Sequence, residues 1–256
     1  MILWYHEVGG FTRGNSKMST ATTDPRSTAA LPETITVAGE ERHVMRGATW
    51  RFYDWLTDAL GERAPFRVAY DGKDIEIMTL GPKHEGVREL LSLFVNEVED
   101  GLEIDCRGLG STTWKRSELE RGIEADLCYY FDAAKLEACE AADSQDSNDV
   151  ADYPNPDLAV EVDLSPSKID RPAIYRALQV AEIWRFRAGT VSIEHLGVDG
   201  NYVTAASSRF LHVTPEEVTR WVVKEKSGNR RQWKMRLRKW ILTELKPRVD
   251  SDETIG

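Results

Sequence analysis

The chain has few of the residues that staple a protein together or carry it into a membrane. Its three cysteines, Cys106, Cys128 and Cys139, are an odd number with no paired metal-ligand spacing. A disulfide framework and a cysteine zinc site are therefore not expected, and reduced thiols in a cytoplasm are. No apolar run approaches the roughly 18 residues needed to cross a bilayer. The start, MILWYHEVGG, lacks the basic residues and long apolar stretch of a secretory signal. Positive charge is also short: a net charge of −10 at pH 7 argues against broad electrostatic adhesion to nucleic acid, though not against a local basic surface. No fixed-period repeat is present. What remains is 256 residues of ordinary soluble composition, enough for one domain with appendages or two small ones.

The chain divides by composition. Residues 1–32 are polar and aperiodic, which predicts a disordered tail, with Met18 as an alternative start. A folded domain is expected over 33–213, a basic helical extension over 214–246 and a disordered tail over 247–256. Within the domain, a short strand is expected over 34–43. Trp50, Tyr53, Leu56 and Leu60 then suit a helix ended by Gly61. Phe66–Tyr70 and Ile75–Met78 flank Asp71-Gly72 and read as a hairpin. After Gly81-Pro82, apolar residues from Val87 to Val98 at spacings of three and four mark a long helix, with Arg88, Glu89 and Glu97 on its other faces. Extended segments are expected at 102–106, 111–115 and 126–131. A helical piece and an acidic loop then occupy 132–155. A helix over 170–178 and a hairpin of 182–187 with 191–196, turning at Gly189, complete the domain. In the extension, Trp233, Leu237, Trp240, Ile241 and Leu245 mark an amphipathic helix. Its interleaved Lys and Arg residues form either a solvated face or a landing strip for phosphates.

The stretch PDLAVEVDLSPSKIDRPAIY (156–175) is the most informative. Leu158, Val160 and Val162 fall on one side of an extended strand, and Asp157, Ala159, Glu161 and Asp163 on the other. An unpaired buried charge costs several kcal/mol, on the order of 3–5. The strand therefore either lies at a sheet edge with one wet face or presents its acids to a hard divalent cation. Upstream, Asp126 heads the strand-like DLCYYF. If the two strands pair, about 4.8 Å apart, Asp126 and Glu161 point into one notch. A metal held there would polarise a phosphodiester oxygen and acidify a bound water.

The order of these elements, with Asp126 followed by Glu161-Val162-Asp163, resembles the PD-(D/E)xK nuclease superfamily. Within it the chain resembles the Uma-type restriction-endonuclease family. The likeness covers about residues 46–212 through GPKHEGVRELL, LGSTTWKRSELERGIEADLCYYF and PDLAVEVDLSPSKIDRPAIYRALQVAEIWRF. It implies an α/β, restriction-endonuclease-like fold, a mixed central sheet flanked by helices. It also implies Mg²⁺ or Mn²⁺ held by Asp126 and Glu161, with the Val162 carbonyl as a third ligand. Asp163 stands where the superfamily usually has a lysine. In Uma-type proteins a lysine commonly sits four residues before the helix tyrosine, and here Arg171 holds that place before Tyr175. Arginine can hold a phosphate but is a poor general base. Lys115 and Lys168 are other sources of an ammonium. His84, in the first turn of the long helix, has either a capping role or a chemical one.

The resemblance implies a metal-dependent endonuclease acting on DNA. Cutting both strands calls for two sites, so a homodimer is expected, in a cytoplasm as the cysteines suggest and with no membrane partner. The alternative is a nuclease fold that has lost catalysis and serves as a nucleic-acid- or protein-binding regulatory module. RNA or branched DNA is a third substrate class left open by the residues.

Overall fold

The computed structural model describes residues 33–37, 40–61 and 66–255. The tail expected over 1–32 lies outside the described residues. The first sheet contains β1 (Glu33–Val37), β2 (Glu40–Met45), β3 (Phe66–Tyr70), β4 (Ile75–Thr79), β6 (Thr113–Arg116) and β7 (Arg121–Glu124). Their order is β1-β2-β4-β3-β7-β6, antiparallel throughout. The second contains β5 (Arg107–Gly110), β8 (Leu127–Tyr130), β9 (Leu158–Asp163), β10 (Glu182–Arg187), β11 (Thr190–Leu196) and β12 (Tyr202–Thr204). Its order is β12-β11-β10-β9-β8-β5, with β9 and β10 parallel and the other pairs antiparallel. With its flanking helices, among them α3 (Ala133–Ser144) and the short α5 (Pro215–Thr219), this is the α/β restriction-endonuclease-like class expected from the sequence. The chain passes from the first sheet to the second between β7 and β8, at Ala125 and Asp126.

Local chemistry explains the elements that frame that passage. Helix α1 (Trp50–Leu60) is capped by the Thr49 side chain and closed by Gly61 at φ 67°, where a left-handed residue favours glycine. It buries Tyr53, which stacks on Tyr70 with ring centroids 5.5 Å apart. A Cβ on Gly122 would come within 2.3 Å of that Tyr53 ring, so only glycine lets β7 run beneath α1. Helix α2 (Pro82–Leu102) starts on Pro82, whose missing N–H is harmless in a first turn. Its apolar stripe of Leu91, Phe94, Val95 and Val98 packs on Leu158, Val160, Val162 and Trp184 of the second sheet. Each such side chain, fully buried, contributes about 1.5–3 kcal/mol. Helix α4 (Arg171–Ala177) covers the opposite face, where Ile174 and Tyr175 meet Cys128, Ala159 and Ile183. Helix α6 (Arg230–Trp240) docks Trp233, Leu237 and Trp240 into the same cluster as α2.

Several elements differ from expectation. The strand expected over 34–43 is the pair β1 and β2. Strands β5 and β6 come later than expected, because α2 runs on to Leu102 and is closed by Glu103 in the left-handed region, φ 60°. Strands β7 and β12 were not anticipated: their sequences, RGIE and YVT, are short and mostly lack alternation. Glu97 is buried, because Lys234 (2.7 Å) and Arg238 of α6 neutralise it. Beyond α6 the chain continues through a π-helical turn, Ile241–Leu245, into α7 (Lys246–Ile255), where a disordered tail is expected from the sequence. The edge-strand reading of β9 fails. It lies inside the sheet between β8 and β10, and all six of its residues are buried.

Candidate active site

Strand β9 is paired with β8 as Leu127↔Val160, Cys128↔Ala159 and Tyr129↔Leu158. One further step of that register sets Asp126 opposite Glu161, on the face shared by Cys128 and Ala159. The side chains confirm the approach. Asp126 Oδ2 accepts from the Val162 N–H at 2.8 Å and lies 3.2 Å from His84 Nε2. Its Oδ1 is buried with no hydrogen-bond partner; a guanidinium nitrogen of Arg67 stands 3.9 Å away. Glu161 is held more fully: Oε2 pairs with Arg171 Nη2 at 2.5 Å, and Oε1 accepts from the Tyr175 hydroxyl.

Around this pair runs a buried network from the first sheet. Arg42 donates from Nη1 to Glu76 at 2.6 Å, from Nη2 to Asp163 at 2.9 Å, and from Nε to Glu40 and Ser165 at 3.0 and 2.8 Å. Arg171 Nη1 lies 3.7 Å from the same Glu76. Glu40, Glu76, Asp126, Glu161 and Asp163 are each at most 1% exposed, and the guanidinium groups buried with them are those of Arg42 and Arg171, at most 2% exposed. Acids therefore outnumber fully buried guanidinium groups in this patch.

That surplus moves the titrations apart. Burial pushes Asp126 up, but the His84 contact, the Val162 N–H and Arg171 outweigh it, and its carboxyl sits below the ordinary value. Burial raises Glu161. Arg171 opposes this, while the charges of Asp126 and Asp163 add to it, so Glu161 ends above its ordinary value. Glu124 follows the same logic at the rim: burial, only partly offset by Arg67 and reinforced by Asp126 and Glu161, lifts it to about 7. Burial lowers His84, yet Asp126 and Glu85 reverse the sign and its pKa is raised.

Of the residues singled out from the sequence, Asp126, Glu161, Asp163, Arg171 and His84 are brought together. Val162 joins them, with its N–H seen bonding Asp126. Lys115 is elsewhere, paired with Asp54 at 2.9 Å and Asp58 at 2.6 Å on α1. The Lys168 side chain is exposed; only its backbone N–H enters the network, donating to Glu76 at 2.8 Å. Asp157 accepts from the N–H groups of Phe131 and Asp132 and from Lys135 at the far end of β9. The basic face of α6 is partly taken up in ion pairs. Arg230 pairs with Glu89, and Lys234 and Arg238 with Glu97. Arg42, Glu40, Glu76 and Arg67 were missed. The signal for the first two was available, because EERHVM alternates Glu40, Arg42 and Val44 onto one face, as β9 alternates its own acids.

Whether these residues suit a metal turns on the donors. Carboxylate and carbonyl oxygens are what a hard divalent ion takes, and the partnerless buried Oδ1 of Asp126 is an acceptor of that kind. Among the described residues no three His, Cys, Asp or Glu side chains gather as a metal-holding group. The set that fits is two carboxylates and a backbone carbonyl.

A sheet switch with two facing acids, on an α/β scaffold whose β9 lies inside a mixed sheet, is the architecture of the restriction-endonuclease-like class. The chain belongs to the Uma2 family, described as putative restriction endonuclease, whose model matches residues 51–222. That span includes both acids and the helix carrying Arg171. A comparison with curated proteins found no match. No helix among the described residues is long and apolar enough to cross a membrane.

Proposed function

We propose that this chain is a metal-dependent endonuclease hydrolysing DNA phosphodiester bonds, with Asp126 and Glu161 as its paired carboxylates. The observation carrying the reading is the β8–β9 register. It sets two buried acids face to face, and one oxygen of Asp126 has no hydrogen-bond partner. Asp126 Oδ1 and Glu161 would hold Mg²⁺ or Mn²⁺. The Val162 carbonyl would be the third donor, since the N–H and C=O of a strand residue face the same neighbour. A cation bound there supplies Lewis acidity at phosphorus and an acidified water.

The chain's own residues prepare the site. His84 and the Val162 N–H anchor Asp126 by Oδ2. Tyr175 and Arg171 orient Glu161, and Arg171 offers positive charge to a phosphate. Next to the end of β9 lies a cleft of about 650 Å³, lined by Val87, Leu164, Phe186, Lys83 and Lys226. Its two lysines suit the approach of a phosphate backbone to an otherwise acidic protein. Cutting both strands calls for two such sites, which a homodimer would supply; light scattering on the eluting protein tests that.

Purified protein with Mg²⁺ should nick supercoiled plasmid, and Asp126→Ala and Glu161→Ala should not. Nicking that survives in both variants overturns the assignment. A second reading, a binding or regulatory module without catalysis, is favoured by one observation: both oxygens of Glu161 are already engaged, by Arg171 and Tyr175. Absence of cleavage together with no divalent-ion shift of the melting temperature supports the module.

A further inference from the structure

Arg171 is the only fully buried cation that touches either of the two facing acids in a charge-paired contact shorter than 3 Å among the described residues. Its side chain is 3% exposed and its guanidinium reaches in two directions, to Glu161 at 2.5 Å and toward Glu76 at 3.7 Å. The grip is incomplete, because Arg171 Nε is buried with no hydrogen-bond partner. A few ångströms of movement would leave the charge paired, since Glu76 is already beside it. Asp126 Oδ1, by contrast, has no hydrogen bond to release, only the Arg67 guanidinium 3.9 Å away.

We propose that Arg171 is the resident cation of this site and competes with a divalent ion for Glu161, so that the ion enters only as the guanidinium shifts toward Glu76. The inference rests on the reading of Asp126 and Glu161 as a metal pair. Two cations on one carboxylate oxygen repel each other strongly where water is excluded. The ion must therefore take over the neutralising role that Arg171 fills, and the wild-type site is weaker for metal than its carboxylates alone would make it. Lysine carries the same charge as a compact ammonium without the planar fork. It cannot bridge Glu161 and Glu76 in the same geometry, and it should hold Glu161 less tightly.

The test is Mn²⁺ binding by the full chain, read from the loss of the free-ion paramagnetic resonance signal and from melting temperature. Wild type, Arg171→Gln, Arg171→Lys and Asp126→Asn are compared. Arg171→Gln should melt lower than wild type without metal, bind Mn²⁺ at least tenfold more tightly and regain melting temperature as Mn²⁺ is added. Arg171→Lys should fall between the two, and it carries the comparison if the glutamine variant does not fold. Asp126→Asn should abolish binding. Equal Mn²⁺ affinity in wild type and both Arg171 variants, with Asp126→Asn still abolishing binding, overturns the competition and leaves the metal pair standing. No binding in any variant overturns both.

Discussion

Immediately before β9, Asp157 accepts two backbone N–H groups at 2.8 and 2.9 Å and a lysine ammonium at 2.6 Å. At the end of the same strand, Glu161 and Asp163 are balanced by the guanidinium groups of Arg171 and Arg42. Across from them Asp126 keeps an unpartnered oxygen. Residue type, strand and face are shared; the donors differ. Backbone N–H groups are fixed by the fold and cannot be withdrawn without unravelling it, so Asp157 is a structural tie. Side-chain cations can move, and an oxygen with no donor can take one. Acidity on a strand does not by itself mark chemistry. What marks it is an acid whose partners are mobile or missing.

The sharpest stability contrast between the two ends comes from Arg42. Its removal strands Glu76, Asp163 and Glu40 together, and breaking a buried ion pair by deleting one partner costs about 3–5 kcal/mol. Arg42→Ala should lower the unfolding free energy from urea titration by an amount in that range, or leave too little folded protein to measure. Asp157→Ala comes next. It leaves the Phe131 and Asp132 N–H groups without their acceptor and should cost about 2 kcal/mol, while plasmid nicking per folded molecule stays intact. Loss of nicking in Asp157→Ala, at full folding, would erase the distinction between the two ends.

Much of this comparison could be read before the fold was known, and the part that could not has a physical reason. Asp126 and Glu161 were visible because carboxylates stood among apolar strand residues, where they are costly. The hairpin at Asp71-Gly72 and helix α2 were visible because turn chemistry and a 3.6-residue period are local properties. The partners that make burial tolerable are not local. Arg42 and Glu76 come from the first sheet and reach Asp163 and Arg171 only through tertiary packing. Without them β9 read equally well as an edge strand. His84 looked like an ordinary first-turn residue for the same reason: only the chain's passage from β7 to β8 brings Asp126 beneath it.

Two smaller effects sharpen the boundary of the site. Glu124, lifted to about 7, binds a proton more tightly folded than unfolded. It adds stability that is fully present below the ordinary glutamate value and lost as pH rises through about 7. Wild type should therefore lose stability from this group as pH rises from 4.5 to 8. Glu124→Gln should flatten that part of the melting-temperature profile, and an unchanged profile would remove Glu124 from the acidic cluster. The smallest effect is expected at Lys115, whose pairs with Asp54 and Asp58 are partly exposed. Lys115→Ala should cost less than about 1 kcal/mol and leave nicking unchanged; a severe loss of nicking would bring α1 into the active site.

The most direct measurement is a crystal structure of the protein soaked in Mn²⁺, with anomalous scattering used to locate the ion. One anomalous peak should lie between Asp126 Oδ1 and Glu161, with Arg171 displaced toward Glu76. A protein that nicks DNA with Mn²⁺ but shows its ion bound elsewhere, with Asp126 and Glu161 untouched, would contradict the assignment.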